Sequence, residues 1–291
     1  MKIVRIIGGL GNQMFQYALY VALKYKFPEE EMRVDTSLMG SYKVHNGLEI
    51  DRVFGPSLPQ ASFRELITLT RPVYNYKLSR AIEKFLPHRK TELLDISSEH
   101  LYDEIFSPGS RYYNGYWLDY RYSQDIMEIL RRDVFKFRLP LNPLTKKMQS
   151  TIRNCNNSVS IHVRRGDYLK AKNYAGLCGL EYYGMAIRYI TDILKDPTFF
   201  IFSDDISWCK ENIIPLLGSY DCYMVDFNKG TDSPLDMMLM SGCEHNIIAN
   251  SSFSWWGAML NSNPNKIVCA PRKWTNNESY CRFQLPEWIL L

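Results

Sequence analysis

The sequence predicts an α/β protein of two lobes, and three observations support this. Strands and helices alternate strictly in the second half of the chain, between residues 159 and 270. Polar clusters follow several of these strands, as they do where a parallel sheet carries a ligand site. The chain of 291 residues reaches the size at which a single core stops growing, and prolines in the stretch 139–145 mark a boundary between lobes.

The first lobe opens with a β-branched strand over residues 2–7 and a glycine-rich loop, Gly8-Gly9-Leu10-Gly11-Asn12-Gln13. A helix is predicted from Met14 to about residue 25, followed by a strand that ends at Asp35. Residues 40–115 are less regular, with one helix around 74–86. The loop is not a dinucleotide fingerprint, because Met14 stands where the third glycine belongs. It favours close approach of the backbone to some other ligand.

The second lobe shows a clearer pattern. Its strands are predicted at 159–163, 198–202, 222–226, 246–249 and 266–270, and its helices at 181–194, 208–217, 234–243 and 254–260. This alternation is typical of a parallel sheet with helices on both faces, where ligands bind beyond the carboxyl ends of the strands.

Composition and charge exclude several classes of protein. The net charge of +4 comes from 35 basic and 31 acidic residues without a basic face or tail, so a nucleic-acid partner is not expected. No stretch approaches the ~20 apolar residues of a membrane span. The N-terminus lacks the features of a signal peptide, which predicts a cytoplasmic location. No C-x-x-C pair indicates a zinc site.

The most specific segment surrounds two adjacent arginines, Arg164 and Arg165, directly after a buried strand that contains His162. A guanidinium presents paired donors that match a phosphate, and it keeps its charge. These side chains are therefore predicted to hold a diphosphate. The structural alternative is a surface loop whose arginines are ion-paired through Asp167.

A second polar segment contains Ser251, Ser252 and Phe253, at a turn from a strand into a helix. Serines here can cap the helix, and free N–H groups at a helix start attract anions. The alternative is a plain N-cap with Trp255 and Trp256 in the core.

Carboxylates at Asp204, Asp205, Asp232 and Asp236 raise the question of a metal. Adjacent side chains in an extended segment point in opposite directions, and an acidic residue near a helix start can simply complement its dipole. Because an arginine pair can neutralise a diphosphate without metal, no metal site is predicted.

Together these motifs resemble those of the bacterial α-1,2-fucosyltransferases, glycosyltransferase family 11. The resemblance covers nearly the whole chain, through residues 8–18, 162–168, 202–205 and 250–257 in that order. It implies a GT-B-like fold of two Rossmann-type lobes, with the nucleotide-sugar site in the cleft between them. Residues 1–142 would form the N-terminal lobe on the acceptor side, and residues 143–291 the C-terminal Rossmann-like lobe that binds GDP-fucose.

The resemblance also implies the reaction. L-Fucose would pass from GDP-β-L-fucose to the 2-hydroxyl of a terminal β-galactoside, with inversion and without a metal or other cofactor. The acceptor would be a galactose-terminated glycan of the cell surface. A lipid-linked acceptor would bring the enzyme into peripheral contact with the inner membrane.

The resemblance further assigns roles to residues, which fall into a donor-binding set and a catalytic set. Donor binding would involve the diphosphate-holding Arg164 and Arg165, the nucleoside contacts His162 and Asp236, the β-phosphate contacts Ser251 and Ser252, the first-lobe residues Gly11 and Asn12, and the motif residues Asp204 and Phe253. The catalytic set is Arg164, His162 and Asp167. Asp167 would orient the arginines or act as the base, with orientation preferred. Asp35, Glu49 and His45 are further base candidates, each with a structural alternative that is preferred.

Two other functions fit the same residues. One is transfer from another GDP-sugar, or to another linkage, and the other is nucleotide-sugar binding without catalysis. RNA binding through tyrosines and the arginine pair is disfavoured, because basic and aromatic residues do not interleave.

Overall fold

The computed structural model describes residues 1–42, 45–95, 101–276 and 283–291. The chain divides into two compact units, Met1–Arg138 and Leu139–Leu291. The division falls at the start of the proline-containing stretch 139–145. Each unit is built on a parallel sheet, so the predicted α/β class is confirmed.

The first unit contains a four-stranded sheet in the order β2-β1-β4-β3, with every pairing parallel. Its strands are β1 (Lys2–Arg5), β2 (Met32–Asp35), β3 (Glu92–Leu94) and β4 (Arg111–Asn114). The last two come from the stretch that the sequence predicted as irregular. They have only three and four residues, too few for an alternating pattern to be read.

The helices of the first unit are α1 (Leu10–Lys26), α2 (Ile50–Phe54), α3 (Phe63–Leu69), α4 (Tyr76–Phe85), α5 (Leu101–Ile105) and α6 (Met127–Ile129). The start of α1 differs from the prediction, because the helix begins at Leu10 and not at Met14. Gly9 is its extended N-cap, and the Gln13 amide donates to the carbonyl of Gly8 at 2.8 Å. Gly11 therefore lies in the first helical turn and not in a loop.

The second unit contains a six-stranded sheet in the order β10-β9-β8-β5-β6-β7, also parallel throughout. Its strands are β5 (Ser158–Val163), β6 (Thr198–Ser203), β7 (Cys222–Val225), β8 (His245–Ile247), β9 (Val268–Ala270) and β10 (Ile289–Leu290). The predicted last strand, β9, is thus followed by one more at the edge of the sheet.

The helices of the second unit are α7 (Pro143–Asn154), α8 (Leu180–Ile193), α9 (Ile206–Asn212), α10 (Ile214–Leu217), α11 (Pro234–Ser241) and α12 (Ser252–Leu260). Helix α7 was not predicted, although Asn142 caps it and Pro143 occupies its first turn, where proline is tolerated. The predicted helix 208–217 is two helices, because Pro215 cannot donate the backbone hydrogen bond that would continue α9.

Alternation along β5 decides which side chains reach the site. Val159, Ile161 and Val163 pack into the core against α8, α9 and α10. Ser160 lies on the opposite face, where Asn246 bridges its hydroxyl to the carbonyl of Met240 in α11. His162 shares that face because it is two residues further along the strand.

None of the helices in the described ranges is long and apolar enough to cross a membrane.

Candidate functional site

The two arginines after β5 are held in place by carboxylates. Nη2 of Arg164 lies 2.8 Å from Oδ1 of Asp167, and its Nη1 lies 3.2 Å from Oδ2 of Asp204. Nε of Arg165 lies 3.1 Å from Oδ2 of Asp205. The ion pair through Asp167, which the alternative of a surface loop predicted, is therefore present. Both arginines also keep part of their side chain in solvent, 29% and 22% respectively, so they remain accessible to a ligand.

The carboxyl end of β6 fixes the backbone of this arginine loop. Oδ1 of Asp204 accepts a hydrogen bond from the backbone N–H of Arg165 at 2.8 Å. Asp205 caps α9 by accepting from the backbone N–H of Trp208 at 3.1 Å. A side chain at Gly166 would bring a Cβ to 2.9 Å from Oδ2 of Asp204, so glycine lets the loop approach this carboxylate. The two aspartates thus have arginines as partners.

The guanidinium groups of both arginines lie over aromatic rings. Arg165 lies 4.1 Å from the centre of the Trp208 ring, and Arg164 lies 5.6 Å from that of Tyr168. Both distances are within the range of cation–π attraction. Tyr168 in turn stacks on Tyr174, with ring centres 4.9 Å apart. Trp208 and Tyr174 were not predicted as site residues, because no local pattern indicates that they pack beside this loop.

The turn before α12 meets the arginine loop. The hydroxyl of Tyr168 donates to the carbonyl of Asn250 at 3.2 Å. Ser251 caps α12, with its Oγ accepting from the backbone N–H of Phe253 at 3.3 Å. Ser252 is the first residue of that helix. Trp255 is fully buried, as the structural alternative requires, so the turn combines a core anchor with a polar start.

His162 is buried beside this turn, with its ring centre 5.9 Å from that of Phe253. Its Nδ1 is buried and has no hydrogen-bond partner within the described part of the chain. Burial, together with the charge of Arg164, lowers the pKa of His162 to about 3. The imidazole is therefore neutral near pH 7 and is suited to hydrogen bonding more than to accepting a proton.

Asp236 lies on α11, the helix packed on the same face of the sheet as His162. Its Oδ1 accepts from Nδ2 of Asn228 at 2.8 Å, and Oδ1 of Asn228 accepts from the side chains of Asn142 and Thr145. Burial raises the pKa of Asp236 to about 7, and the bond from Asn228 opposes this rise. This carboxyl can therefore change charge near neutral pH.

The remaining predicted residues lie in the first unit. Gly11 and Asn12 are in the first turn of α1. His45 is exposed and lies beside the start of the same helix, because a Cβ placed on Gly9 would be 3.3 Å from its Cδ2. Its φ of 63° lies in the left-handed region.

The other two base candidates of the first unit have structural partners. Asp35 accepts from the Tyr112 hydroxyl at 2.7 Å and from the Ser37 backbone at 2.9 Å. Glu49 is 3% exposed and lies 3.2 Å from both Asn46 and Arg52. These contacts match the structural alternative given for both residues.

His162 and Asp236 both have shifted pKa values, and they make the free energy of unfolding depend on pH in opposite directions. His162 titrates near 6.5 when unfolded and near 3 when folded, so its stabilisation is complete above pH 6.5 and is lost as the pH falls towards 3. Asp236 titrates near 3.8 when unfolded and near 7 when folded, so its stabilisation is complete below pH 3.8 and is lost as the pH rises towards 7. Between about pH 4 and 6.5, the contribution of His162 to the free energy of unfolding rises with pH while that of Asp236 falls, so the two contributions cancel.

Single substitutions should expose each slope. Asp236→Asn should make the free energy of unfolding rise with pH by up to about 1.4 kcal/mol per pH unit between pH 4.5 and 6.5. His162→Asn should make it fall by a similar amount. Urea unfolding of both variants and the parent chain at several pH values measures this. Equal slopes in all three proteins would contradict the titration assigned to these groups.

Known proteins similar to this chain are transferases of sugars. A family model described as glycosyl transferase family 11 matches residues 68–291. An alpha-1,2-colitosyltransferase of Escherichia coli is 35% identical over 99% of this chain and 97% of its own length. The human galactoside alpha-(1,2)-fucosyltransferase 1 is 25% identical over 97% of this chain and 72% of its own length.

Solved structures agree on the fold. The alpha-1,6-fucosyltransferase NodZ, known from Bradyrhizobium, superposes with a TM-score of 0.52 over 91% of this chain and 96% of its own, at 15% identity. This likeness and the two parallel-sheet units confirm the predicted GT-B-like fold. With a family model over most of its length and full-length relatives that transfer sugars, this chain is a glycosyltransferase and belongs to glycosyltransferase family 11.

Proposed function

We propose that the enzyme transfers L-fucose from GDP-β-L-fucose to the 2-hydroxyl of a terminal β-galactoside, with inversion, to form an α-1,2 linkage. The observation that carries the proposal is the pair of anchored guanidiniums at Arg164 and Arg165, beside the Ser251 turn, in a chain of this family. The relative named as a galactoside alpha-(1,2)-fucosyltransferase supports the linkage.

The diphosphate leaves as charge builds up on it, so fixed donors aimed at it lower the barrier. The arginines carry two positive charges, and three carboxylates contact them. Asp167 is the most exposed of the three, at 54%. We infer that the diphosphate replaces Asp167 on Arg164, while Asp204 and Asp205 keep the loop in position. The scheme invokes no metal, because the guanidinium N–H groups would donate to the diphosphate oxygens as charge builds up on them.

His162, Phe253 and Asp236 are proposed to bind the nucleoside. His162 offers a buried ring nitrogen, and Phe253 offers a ring face next to it. A guanine base presents adjacent N–H donors, which suit a carboxylate acceptor such as Asp236. Ser251 and Ser252, at the start of α12, are proposed to meet the β-phosphate with backbone and hydroxyl donors. Gly11 and Asn12, in the first turn of α1, are proposed as further donor-binding residues.

We propose His45 as the general base that removes the proton from the acceptor hydroxyl. Asp35 and Glu49 are buried and hold structural hydrogen bonds, and Asp167 is proposed to orient Arg164 until the diphosphate replaces it. His45 is exposed beside Gly9, next to the helical turn proposed to contact the donor. A neutral imidazole can accept a proton from a hydroxyl, which is the role of a general base.

A second donor has specific support, because the relative at 35% identity is named a colitosyltransferase. Colitose is fucose without its 3-hydroxyl. A site that hydrogen-bonds this hydroxyl rejects the deoxy sugar by about 10⁴-fold, whereas an apolar site discriminates only weakly. The ratio of kcat/KM for the two GDP-sugars therefore decides the donor.

The test is incubation of the purified chain with lactose and either GDP-fucose or GDP-colitose, with and without a chelator. We expect transfer from GDP-fucose that the chelator does not reduce, and NMR of the product should show an α-1,2 linkage. Preference for GDP-colitose, or another linkage, would replace the proposal with its alternative. Donor binding without turnover on any galactoside would indicate a nucleotide-sugar sensor.

The cellular setting proposed is the cytoplasm, in synthesis of a cell-surface glycan. A lipid-linked acceptor would place the enzyme in peripheral contact with the inner membrane. Fractionation of cells before and after a high-salt wash would measure this contact.

A further inference from the structure

A polar recess lies at one edge of the first unit's sheet, and none of the residues predicted to bind the donor lines it. Arg5, Asp35 and Asn114 are the last residues of β1, β2 and β4, and all three line it. Helix α4 forms another wall, through Ser79, Ile82 and Glu83 among others. The recess is partly open to solvent. The carboxyl edge of a parallel sheet is where ligands of such folds bind.

Arg5, which lines this recess, carries a hydrogen-bond donor that no protein group uses. Its side chain is buried, with the residue 7% exposed. Its Nη1 donates to Oε1 of Glu83 at 2.9 Å and to Oδ1 of Asn114 at 2.6 Å. Its Nε is buried without a hydrogen-bond partner among the residues that the structure describes. An unpaired buried donor on a charged group is costly, so a ligand that accepts from this nitrogen would recover that free energy.

Other residues that line the recess supply hydrogen-bond acceptors and neutral donors. Glu92 accepts from the hydroxyl of Thr70 at 2.7 Å through Oε1, and its Oε2 lies 2.8 Å from Nδ1 of His88. Asp35 accepts from the hydroxyl of Tyr112 at 2.7 Å. These groups are held by one another, and a rigid set of donors and acceptors binds a ligand with little ordering cost.

The charge balance decides the class of ligand. The arginines and carboxylates that line the recess are Arg5, Arg71, Asp35, Glu83 and Glu92. Two positive and three negative groups do not favour an anion. Aliphatic side chains, including Leu38, Val73 and Ile82, lie between the polar groups. Alternating donors and acceptors with apolar patches suit a neutral ring whose hydroxyls both donate and accept.

We propose that this recess is a carbohydrate-binding subsite, which holds one neutral pyranose residue of the acceptor glycan other than the galactose that is modified. It rests on the proposed function in one respect, since it takes the acceptor to be a glycan. The subsite would let the enzyme prefer longer acceptors over a single galactoside. In the complex, the N–H at Nε of Arg5 would donate a hydrogen bond to a hydroxyl of the bound sugar.

The first experiment measures binding without the donor, by saturation-transfer NMR and calorimetry with the neutral tetrasaccharide lacto-N-tetraose. Ile82→Trp places a large ring in the recess and should weaken binding by about tenfold or more, the loss of one or two ligand hydrogen bonds. Ala81→Trp adds the same ring at an exposed neighbouring position of α4, outside the residues that line the recess, and should leave binding unchanged.

Arg5→Lys is a second variant that keeps a positive charge beside Glu83 but removes the Nε donor, together with the Nη1 donor that reaches Asn114. It should also weaken tetrasaccharide binding about tenfold. The affinity for GDP should stay at the wild-type value in all three variants, and a circular-dichroism spectrum like that of the parent chain shows that each is folded. Tetrasaccharide binding that neither Ile82→Trp nor Arg5→Lys weakens would overturn the subsite.

Steady-state kinetics separate this proposal from the proposed function. The KM for lacto-N-tetraose should rise about tenfold in Ile82→Trp, while the KM for methyl β-galactoside stays nearly constant. An equal rise for both acceptors would contradict a remote subsite. Failure of transfer from GDP-fucose, with tetrasaccharide binding still lost in Ile82→Trp, would refute the proposed reaction and leave the subsite standing.

Discussion

Arg164→Ala is expected to lower kcat by about 10²–10³, because the departing diphosphate loses a fixed donor that stabilises its charge. Arg164→Lys should recover little of this rate, since an ammonium is a point charge and cannot replace the planar fork of donors. Part of the loss should also appear in the affinity for GDP. Radiolabelled transfer assays and calorimetry with GDP measure the two effects.

The matched control is Arg132→Ala. Arg132 is also an arginine paired with an aspartate, since its Nη2 lies 2.8 Å from Asp133, but it is 76% exposed in the other unit. Exposed pairs of this kind contribute about 0–1 kcal/mol, so this variant should transfer normally. Near-normal kcat in Arg164→Ala or in Arg164→Lys would remove Arg164 from the mechanism.

Substitution of His45 is the second change with a large expected effect. His45→Ala should lower kcat by about 10²–10⁴, the contribution typical of a positioned general base. The affinity for GDP should not change, because His45 is proposed to act on the acceptor hydroxyl. The fall of kcat at acidic pH, where a histidine base is protonated, should disappear in the variant. Added imidazole should restore part of the rate.

Asp167→Asn separates His45 from the competing base. If Asp167 only orients Arg164, this variant should change the KM for the donor by a few-fold and keep the acidic limb of the pH profile. If kcat fell by about 10²-fold or more and the acidic limb of the pH profile also disappeared, Asp167 would be the base. A normal kcat in His45→Ala would be enough to exclude His45 as the general base.

Much of the second unit could be predicted from the sequence, because β5 and β6 have six residues each and the helices between strands alternate with them regularly. The strand that contains His162 was predicted within one residue of its observed start. The turn at Ser251 was predicted as a helix cap from the residue type alone. These features depend on local preferences, which a single sequence displays directly.

Features that depend on distant contacts could not be predicted. Strands β3 and β4 are defined by pairing with each other and with β1, not by their own short patterns. The start of α1 depends on Gln13, whose side chain bonds the carbonyls of both Gly8 and Gly47. Trp208 supports Arg165 across two strand ends. In each case the partner lies far along the chain, where no local periodicity points to it.

The position of Arg5 illustrates the same limit. In the sequence it is one of two charged residues, with Lys2, in an otherwise apolar strand, and it argues only against a signal peptide. In the structure it meets Glu83 and Asn114, which are 78 and 109 residues away. The recess that these residues form becomes visible only when the strand order is known.

The most direct test of the central claim is a crystal structure of the chain with GDP bound. The account predicts that diphosphate oxygens lie within hydrogen-bond distance, about 2.7–3.2 Å, of the guanidinium nitrogens of Arg164 and Arg165, with Asp167 displaced from Arg164. GDP bound with its diphosphate remote from both arginines would contradict it.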